Sequence, residues 1–278
     1  MTLADALSII TLCLLGIPLI YIIYAFIRKR KAEKIMNQAF PEEWERIIET
    51  NLTLYKQLPK KLQKRLKQLV LLIIALKDFE GCGGLEITDE IKITIASEAA
   101  VLILNKNTIN PYPNLQTILV YPHAYVASSK QAIAGNLAIE DLPSARLGES
   151  WQYGDVIVAW DHAKQGGRNM DDGHNVVFHE FSHQLDQESG SANGAPPMDK
   201  ATYKTWGSIL GQDYLDLCKK YNKHQKDVID SYGTTNPAEF FAVVTETFFE
   251  KPFQLMEAHP KLFKEMLLYY KLDPRDFS

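Results

Sequence analysis

Residues 179–183 read His-Glu-Phe-Ser-His, and no other string in the chain restricts the fold as much. Positions four apart on an α-helix lie about 40° apart around its axis, so both imidazoles reach one metal ion when this segment is helical. Glu180 projects from the same turn toward the open side of such a metal, where it can take a proton from water. Phe178, Phe181 and Leu185 continue an apolar helical pattern, and Asp171-Asp172-Gly173 offers an N-terminal cap. The histidines are therefore expected on a half-buried helix. The rival reading of the same five letters is a surface helix whose histidines touch nothing.

A catalytic zinc usually has three protein ligands and a fourth position for water, so a third ligand is sought further along the chain. Residues 236–249 read Asn-Pro-Ala-Glu-Phe-Phe-Ala-Val-Val-Thr-Glu-Thr-Phe-Phe. This is a helix with Asn236 as N-cap and Pro237 at the first helical position. Glu239 and Glu246 share a face but stand about 10.5 Å apart along the axis. One of them can bind the metal; the other can at best support the ligand shell. Glu239 also suits a capping-box role, and Glu246 a bond to a buried donor, so the residues alone leave the choice open.

The segments Asn175–Asp186 and Tyr232–Phe249 resemble the Mlc titration factor A family, the M90 zinc peptidases, and more distantly the catalytic domain of lethal-factor-type toxins. Further matching pieces are Leu85–Glu90, Tyr121-Pro122 and Gly148-Glu149-Ser150-Trp151, and the resemblance runs from Glu43 to Pro274. It implies that Glu239 is the third zinc ligand beside His179 and His183, that Glu180 is the general base, and that Tyr232 lines the active site. It also implies an aminopeptidase-like activity on short peptides, and a transcriptional regulator as partner.

Asp186, three residues after His183, either bonds a ligand imidazole or caps local backbone. His174 lies about 140° from His179 around the helix and is not expected to be a ligand. Trp151 and Trp160 flank a strand at Val156–Ala159 and read as core or cleft wall. That strand can present a free edge to an extended peptide. Asp161 and His162, which follow it, have no assigned role.

Residues Ala6 to Ile27 carry no charge and are followed at once by Arg28-Lys29-Arg30-Lys31. The run is long enough to cross a bilayer, and the basic flank places everything after it in the cytoplasm. Asp5 before the run, and no evident cleavage site after it, argue for an anchor over a signal peptide. The resemblance implies soluble proteins, so the anchor is this chain's own departure. The expected domains are a transmembrane anchor over 6–27, a basic juxtamembrane linker over 28–41 and a metallopeptidase domain over 42–278.

The net charge of −4 gives no reason to expect nucleic acid. Cys13, Cys82 and Cys218 have neither metal spacing nor an even count, which suits reducing surroundings. Helices are expected at Glu42–Asn51, Lys60–Phe79, Ile91–Leu104, Tyr203–Tyr221, Pro237–Glu250 and Pro260–Tyr270. Short strands are expected at Thr117–Val120 and Val156–Ala159, and a Gly/Pro-rich loop at Gly190–Pro197. The expected fold is α+β, mostly helical, a zincin-like (gluzincin) domain with a small β-sheet behind one transmembrane helix.

The expected function is a membrane-anchored Zn2+-dependent peptidase, with Glu180 as base and Tyr232 as oxyanion donor. The alternative is a regulatory module that sequesters a transcriptional repressor, for which a base beside the metal is not needed. A purely structural zinc fits poorly, because such sites usually close with four protein ligands and three are found.

Overall fold

The computed structural model describes residues 3–123 and 154–277, with the side chains of residues 3–15 and of Ala201 outside the description. The Gly148–Trp151 match, and Trp151 itself, lie outside the described residues. The chain forms two compact units, Met1–Ala39 and Phe40–Ser278. In the first, α1 (Leu3–Met36) is one continuous helix that carries Pro18 internally.

Among the described residues no helix is long and apolar enough to cross a membrane. The span expected over 6–27 falls within α1, and the side chains of its first part are among those not described. From Gly16 onward the helix is uncharged only as far as Ile27, because Arg28-Lys29-Arg30-Lys31 follows. That remainder is too short by itself to span.

The second unit holds α2 (Glu42–Asn51), α3 (Lys60–Leu76), β1 (Asp78–Gly81), α4 (Asp89–Leu102), β2 (Thr117–Tyr121) and β3 (Asp155–Ala159). It continues with α5 (Trp160–Arg168), α6 (Val176–Gln187), α7 (Lys200–Asn222), α8 (Pro237–Glu250), α9 (Pro252–Ala258) and α10 (Pro260–Tyr270). The sheet is parallel in the order β1-β2-β3, with Phe79 opposite Ile118 and Ile118 opposite Val156. Among the described residues β3 pairs only with β2, so its other edge carries no strand.

Apolar periodicity accounts for most of the helices. In α3, Leu66, Leu69, Val70 and Ile73 are fully buried, while Lys60, Lys61 and Lys64 face solvent. The helix α4 is buried at every position from Ile93 to Leu102, with Thr94, Ser97 and Glu98 among its otherwise apolar residues. Thr88 caps it, the Ile91 amide donating to its hydroxyl. The helices α6 and α8 pack against each other through aromatic rings, Phe178 lying 5.2 Å from Phe249 between centroids. Phe181, a turn further along α6, meets Tyr112 edge to face at 4.9 Å.

Three elements differ from the sequence expectation. The helix from Lys60 ends at Leu76, and residues 78–81 form β1 instead of a last helical turn. Lys77 is the cause: its buried ammonium donates to the carbonyls of Tyr112 and Leu115, at 2.6 and 2.7 Å, and the Asp78 amide donates to Gln116. These bonds draw the chain alongside β2. The short helix α5 is unexpected because Gly166 and Gly167 break its pattern. Gly167 is needed there, since a Cβ would lie 2.3 Å from the Asn51 carbonyl oxygen. The third, α9, fills the gap that was left before Pro260.

The start of α8 follows the sequence closely. Asn236 is exposed, and its side chain accepts from the amides of Ala238 and Glu239 at 2.9 and 3.0 Å. Asn236→Ala removes that cap and is expected to cost about 1 kcal/mol. For a chain of this size the melting temperature falls by about 2–4 °C. Calorimetry on Asn236→Ala and Asn236→Asp checks this; Asp should retain most of the stability, and equal melting of all three proteins would show that the cap contributes nothing.

Candidate metal centre

The helix that carries the His-Glu-Phe-Ser-His string is buried at every position from Val177 to Asp186. Its N-cap is Asn175, whose side-chain oxygen accepts from the Phe178 amide at 2.8 Å. The Asp171-Asp172-Gly173 stretch expected to cap it lies just outside; there Asp172 accepts from the His174 amide. Phe178, Phe181 and Leu185 are fully buried, Phe178 against Phe249 of α8, and His179 and His183 meet Glu239 of the same helix.

The structure brings His179, His183 and Glu239 into one buried cluster, the metal-capable group found among the described residues. Glu239 Oε2 lies 3.0 Å from His179 Nε2 and 3.4 Å from His183 Nε2. The two Nε2 atoms are 3.3 Å apart. A tetrahedral metal with ligands at about 2.0–2.1 Å holds those ligands roughly 3.3 Å from one another. The three atoms therefore stand at the corners of one face of such a tetrahedron, and the donor set fits a divalent metal with a fourth position left over.

Glu246 stands behind this cluster. Its Oε1 lies 2.8 Å from His179 Nδ1, and its Oε2 accepts from the Asn175 amide at 2.6 Å. The two glutamates of α8 thus meet opposite nitrogens of one imidazole. Burial works against protonation of His179, but the hydrogen bonds to Glu239 and Glu246 outweigh it and raise its pKa well above the usual imidazole range. Burial lowers His183, with Glu239 in opposition. Burial pushes Glu239 up, yet its bonds to both histidines win and hold it at about 2.

Glu180 is set apart from these pairs. Its Oε1 is buried with no hydrogen-bond partner. Burial raises its carboxyl to about 7, the charge of His179 opposing and those of Glu239 and Glu246 adding. Tyr232 sits in the turn before α8, where Asp230 accepts from its amide at 2.7 Å. Its ring lies 5.9 Å from that of His179 between centroids. Burial first, then the charges of Glu239 and Glu180, push the phenol above its ordinary range, so it remains a hydrogen-bond donor.

Of the two roles open to Asp186, its hydrogen bond serves the backbone one. The carboxylate accepts from Gly194 of the loop at 2.6 Å, and burial raises it to about 6 against the pull of the loop amides. Gly194 has φ +78°, and a Cβ there would lie 2.5 Å from the Pro237 carbonyl oxygen, so the loop presses on the start of α8. His174 is exposed and away from the cluster, as expected. Trp160 is part of the core rim, and Asp161 lies 3.1 Å from His123 Nδ1.

Two residues around the site carry no expectation from the sequence. Glu98, on α4, is fully buried and accepts from the Asn175 side-chain amide at 2.9 Å. Glu250 accepts from the amides of Gly173 and His174, and burial raises it to about 9. A lone glutamate inside the apolar Ile91–Leu104 run is the signal that points to Glu98.

The chain matches the family model described as glucose-regulated metallo-peptidase M90 over residues 26–271. It is 39% identical over 246 residues to an uncharacterized protein of Synechocystis sp., covering 88% of this chain and 89% of that one. It is 28% identical to the Mlc titration factor A of Serratia proteamaculans over 80% of this chain and 85% of that one. The figure for the same factor of Yersinia enterocolitica is 25%, over 81% and 84%. Both of the family's expected metal-site motifs fall inside the matched range and meet in one buried cluster, and the chain belongs to the M90 metallo-peptidase family.

Proposed function

We propose that this chain is a zinc-dependent peptidase. The observation that carries the reading is the triangle of His179 Nε2, His183 Nε2 and Glu239 Oε2, at 3.0, 3.3 and 3.4 Å, beside a buried Glu180 oxygen with no partner. Two imidazoles and a carboxylate with an open position are the donors of catalytic zinc sites. When bound, zinc supplies Lewis acidity that polarises a carbonyl and makes water more acidic.

The chain's own residues do the rest. His179, His183 and Glu239 hold the metal. Glu180 takes the proton of the attacking water and passes it to the leaving amine; a base with a pKa near neutrality suits both transfers. Tyr232 keeps its proton and donates a hydrogen bond to the carbonyl oxygen as charge develops there. The edge of β3 that carries no strand among the described residues offers main-chain pairing to an extended substrate. The resemblance supports an aminopeptidase-like preference for short peptides.

In a second reading, which draws on the relatives' name Mlc titration factor A, this chain acts mainly by sequestering a transcriptional repressor, with hydrolysis secondary. Glu180 discriminates between the two, because sequestration has no use for a base with a free oxygen beside the metal.

We also propose that α1 anchors the chain in a membrane with the catalytic unit on the cytoplasmic side. Every large apolar side chain from Ile17 to Ile27 is 50–71% exposed, a helix face that water does not favour on any side. The uncharged sequence begins earlier, at Ala6, and basic residues close it at Arg28.

About one zinc per chain is expected in the purified protein, and His179→Ala, His183→Ala or Glu239→Ala should each remove it. Zinc must displace the proton that the carboxylates hold on His179, so apparent affinity should rise with pH and fall on acidification from above the ordinary imidazole range. Metal analysis and chelator titrations across pH read both; full zinc occupancy in the histidine variants would end the assignment.

Glu180→Gln should keep zinc and lose at least ~10² in peptide turnover. Tyr232→Phe should keep zinc and melting temperature, and lose about 3 kcal/mol of transition-state stabilisation. Single-turnover hydrolysis on metal-loaded variants measures both. Normal turnover in Glu180→Gln would move the base elsewhere and favour the binding reading.

The full chain should pellet with membranes and resist salt extraction, whereas a chain begun at Pro41 should stay in the supernatant and remain active. Recovery of the full chain in the supernatant would remove the anchor.

A further inference from the structure

We infer that Glu246 is a positioning residue of the metal centre: a single carboxylate fixes the tautomer of His179 and the first turn of the helix that carries it. The inference rests on the zinc reading above. Glu246 is buried, and its two oxygens have separate tasks. One faces His179 Nδ1 at 2.8 Å, and the other accepts from the Asn175 amide at 2.6 Å. Asn175 is the N-cap of α6 and holds the Phe178 amide through its own side chain. The imidazole and the helix start that presents it are therefore pinned by one group.

The chemistry requires two acceptor oxygens there. A metal-binding imidazole is neutral, with its lone pair on the ligating nitrogen and its hydrogen on the other. His179 Nε2 faces Glu239 and His183, so Nδ1 must carry the hydrogen and needs an acceptor. The Asn175 amide is also a donor. Two donors on one side chain call for two acceptor atoms, and among neutral or charged side chains of this shape only a carboxylate has them. Glutamine has one acceptor and one donor. Turned one way it offers N–H to the imidazole and favours the wrong tautomer; turned the other way it sets N–H against the Asn175 amide.

Glu250 supplies an internal control. It comes from the same helix, four residues on, and holds the amides of Gly173 and His174 just before the N-cap. It supports the same segment, but its recorded bonds reach no imidazole. Burial keeps its carboxyl up at about 9, so glutamine imitates its neutral form.

The test compares zinc affinity by chelator competition, and the visible spectrum of the cobalt-loaded protein, in full-length wild type, Glu246→Gln, Glu246→Asp and Glu250→Gln. Glu246→Gln should bind zinc 10–100-fold more weakly and shift the cobalt bands when loaded at saturation. Glu250→Gln should match wild type in both. Glu246→Asp keeps the charge but is one methylene short; it should also bind more weakly, and it carries the test if the glutamine variant does not fold. Wild-type zinc affinity and cobalt bands in the folded Glu246 variants would overturn the inference, as would an equal loss in Glu250→Gln, which would make the effect one of helix-start architecture. Failure of wild type to bind zinc would instead overturn the zinc reading, and this inference with it.

Discussion

The centre of this structure hangs on one imidazole. His179 is buried between two carboxylates of the same helix, Glu239 on Nε2 at 3.0 Å and Glu246 on Nδ1 at 2.8 Å. Burying charges in this way is expensive unless each has a partner. The arrangement is tolerable only because α6 and α8 hold their spacing, and aromatic packing such as Phe178 on Phe249 keeps that spacing. The apolar contacts and the polar cluster therefore lie on the same pair of helices and constrain each other. A residue that moves the helices apart loosens the ion pairs, and a loss of either carboxylate leaves a buried imidazole unbalanced.

The start of α6 shows how such charges are accommodated where no basic side chain is recorded as their partner. Glu98, Glu246 and Glu250 all converge on residues 173–175 and take hydrogen bonds from Gly173, His174 and Asn175. Three of those donors are backbone amides, in the zone where a helix dipole favours negative charge. Burial answers the rest by raising two of the carboxyls: Glu98 well above its ordinary range and Glu250 to about 9. Both leave one oxygen unpartnered. The frame ties the first turn of α6 to α4 through Glu98 and to α8 through Glu246 and Glu250.

Much of this was legible from the chain. The His-Glu-Phe-Ser-His string placed its two imidazoles on one helix face, and Asn236-Pro237 marked where α8 begins. Both signals are local, depending on helix periodicity and capping within a few residues. The choice between Glu239 and Glu246 was not local, because both share a face; it turns on which stands level with the histidines across the helix interface. The strand β1 was missed for a similar reason. Nothing in Asp78-Phe79-Glu80 resists a helix, and the bonds that extend the chain there come from Tyr112, Leu115 and Gln116. Asp186 was balanced between two roles until the loop showed where the Gly194 amide lies.

Three glutamates within this one site differ in what surrounds them, and that difference supports the separate roles proposed for them. Glu239 is held low by two imidazoles and stays an anion fit to ligate. Glu246 has donors on both oxygens and can do no more than hold them in place. Only Glu180 keeps a buried oxygen with no partner, and burial leaves its carboxyl near neutrality, where a proton can be taken up and given back. Residue type does not distinguish the ligand, brace and base proposed here. Among these three hydrogen-bond occupancy does, and Glu180 is the one of them with a buried acceptor left to offer to water.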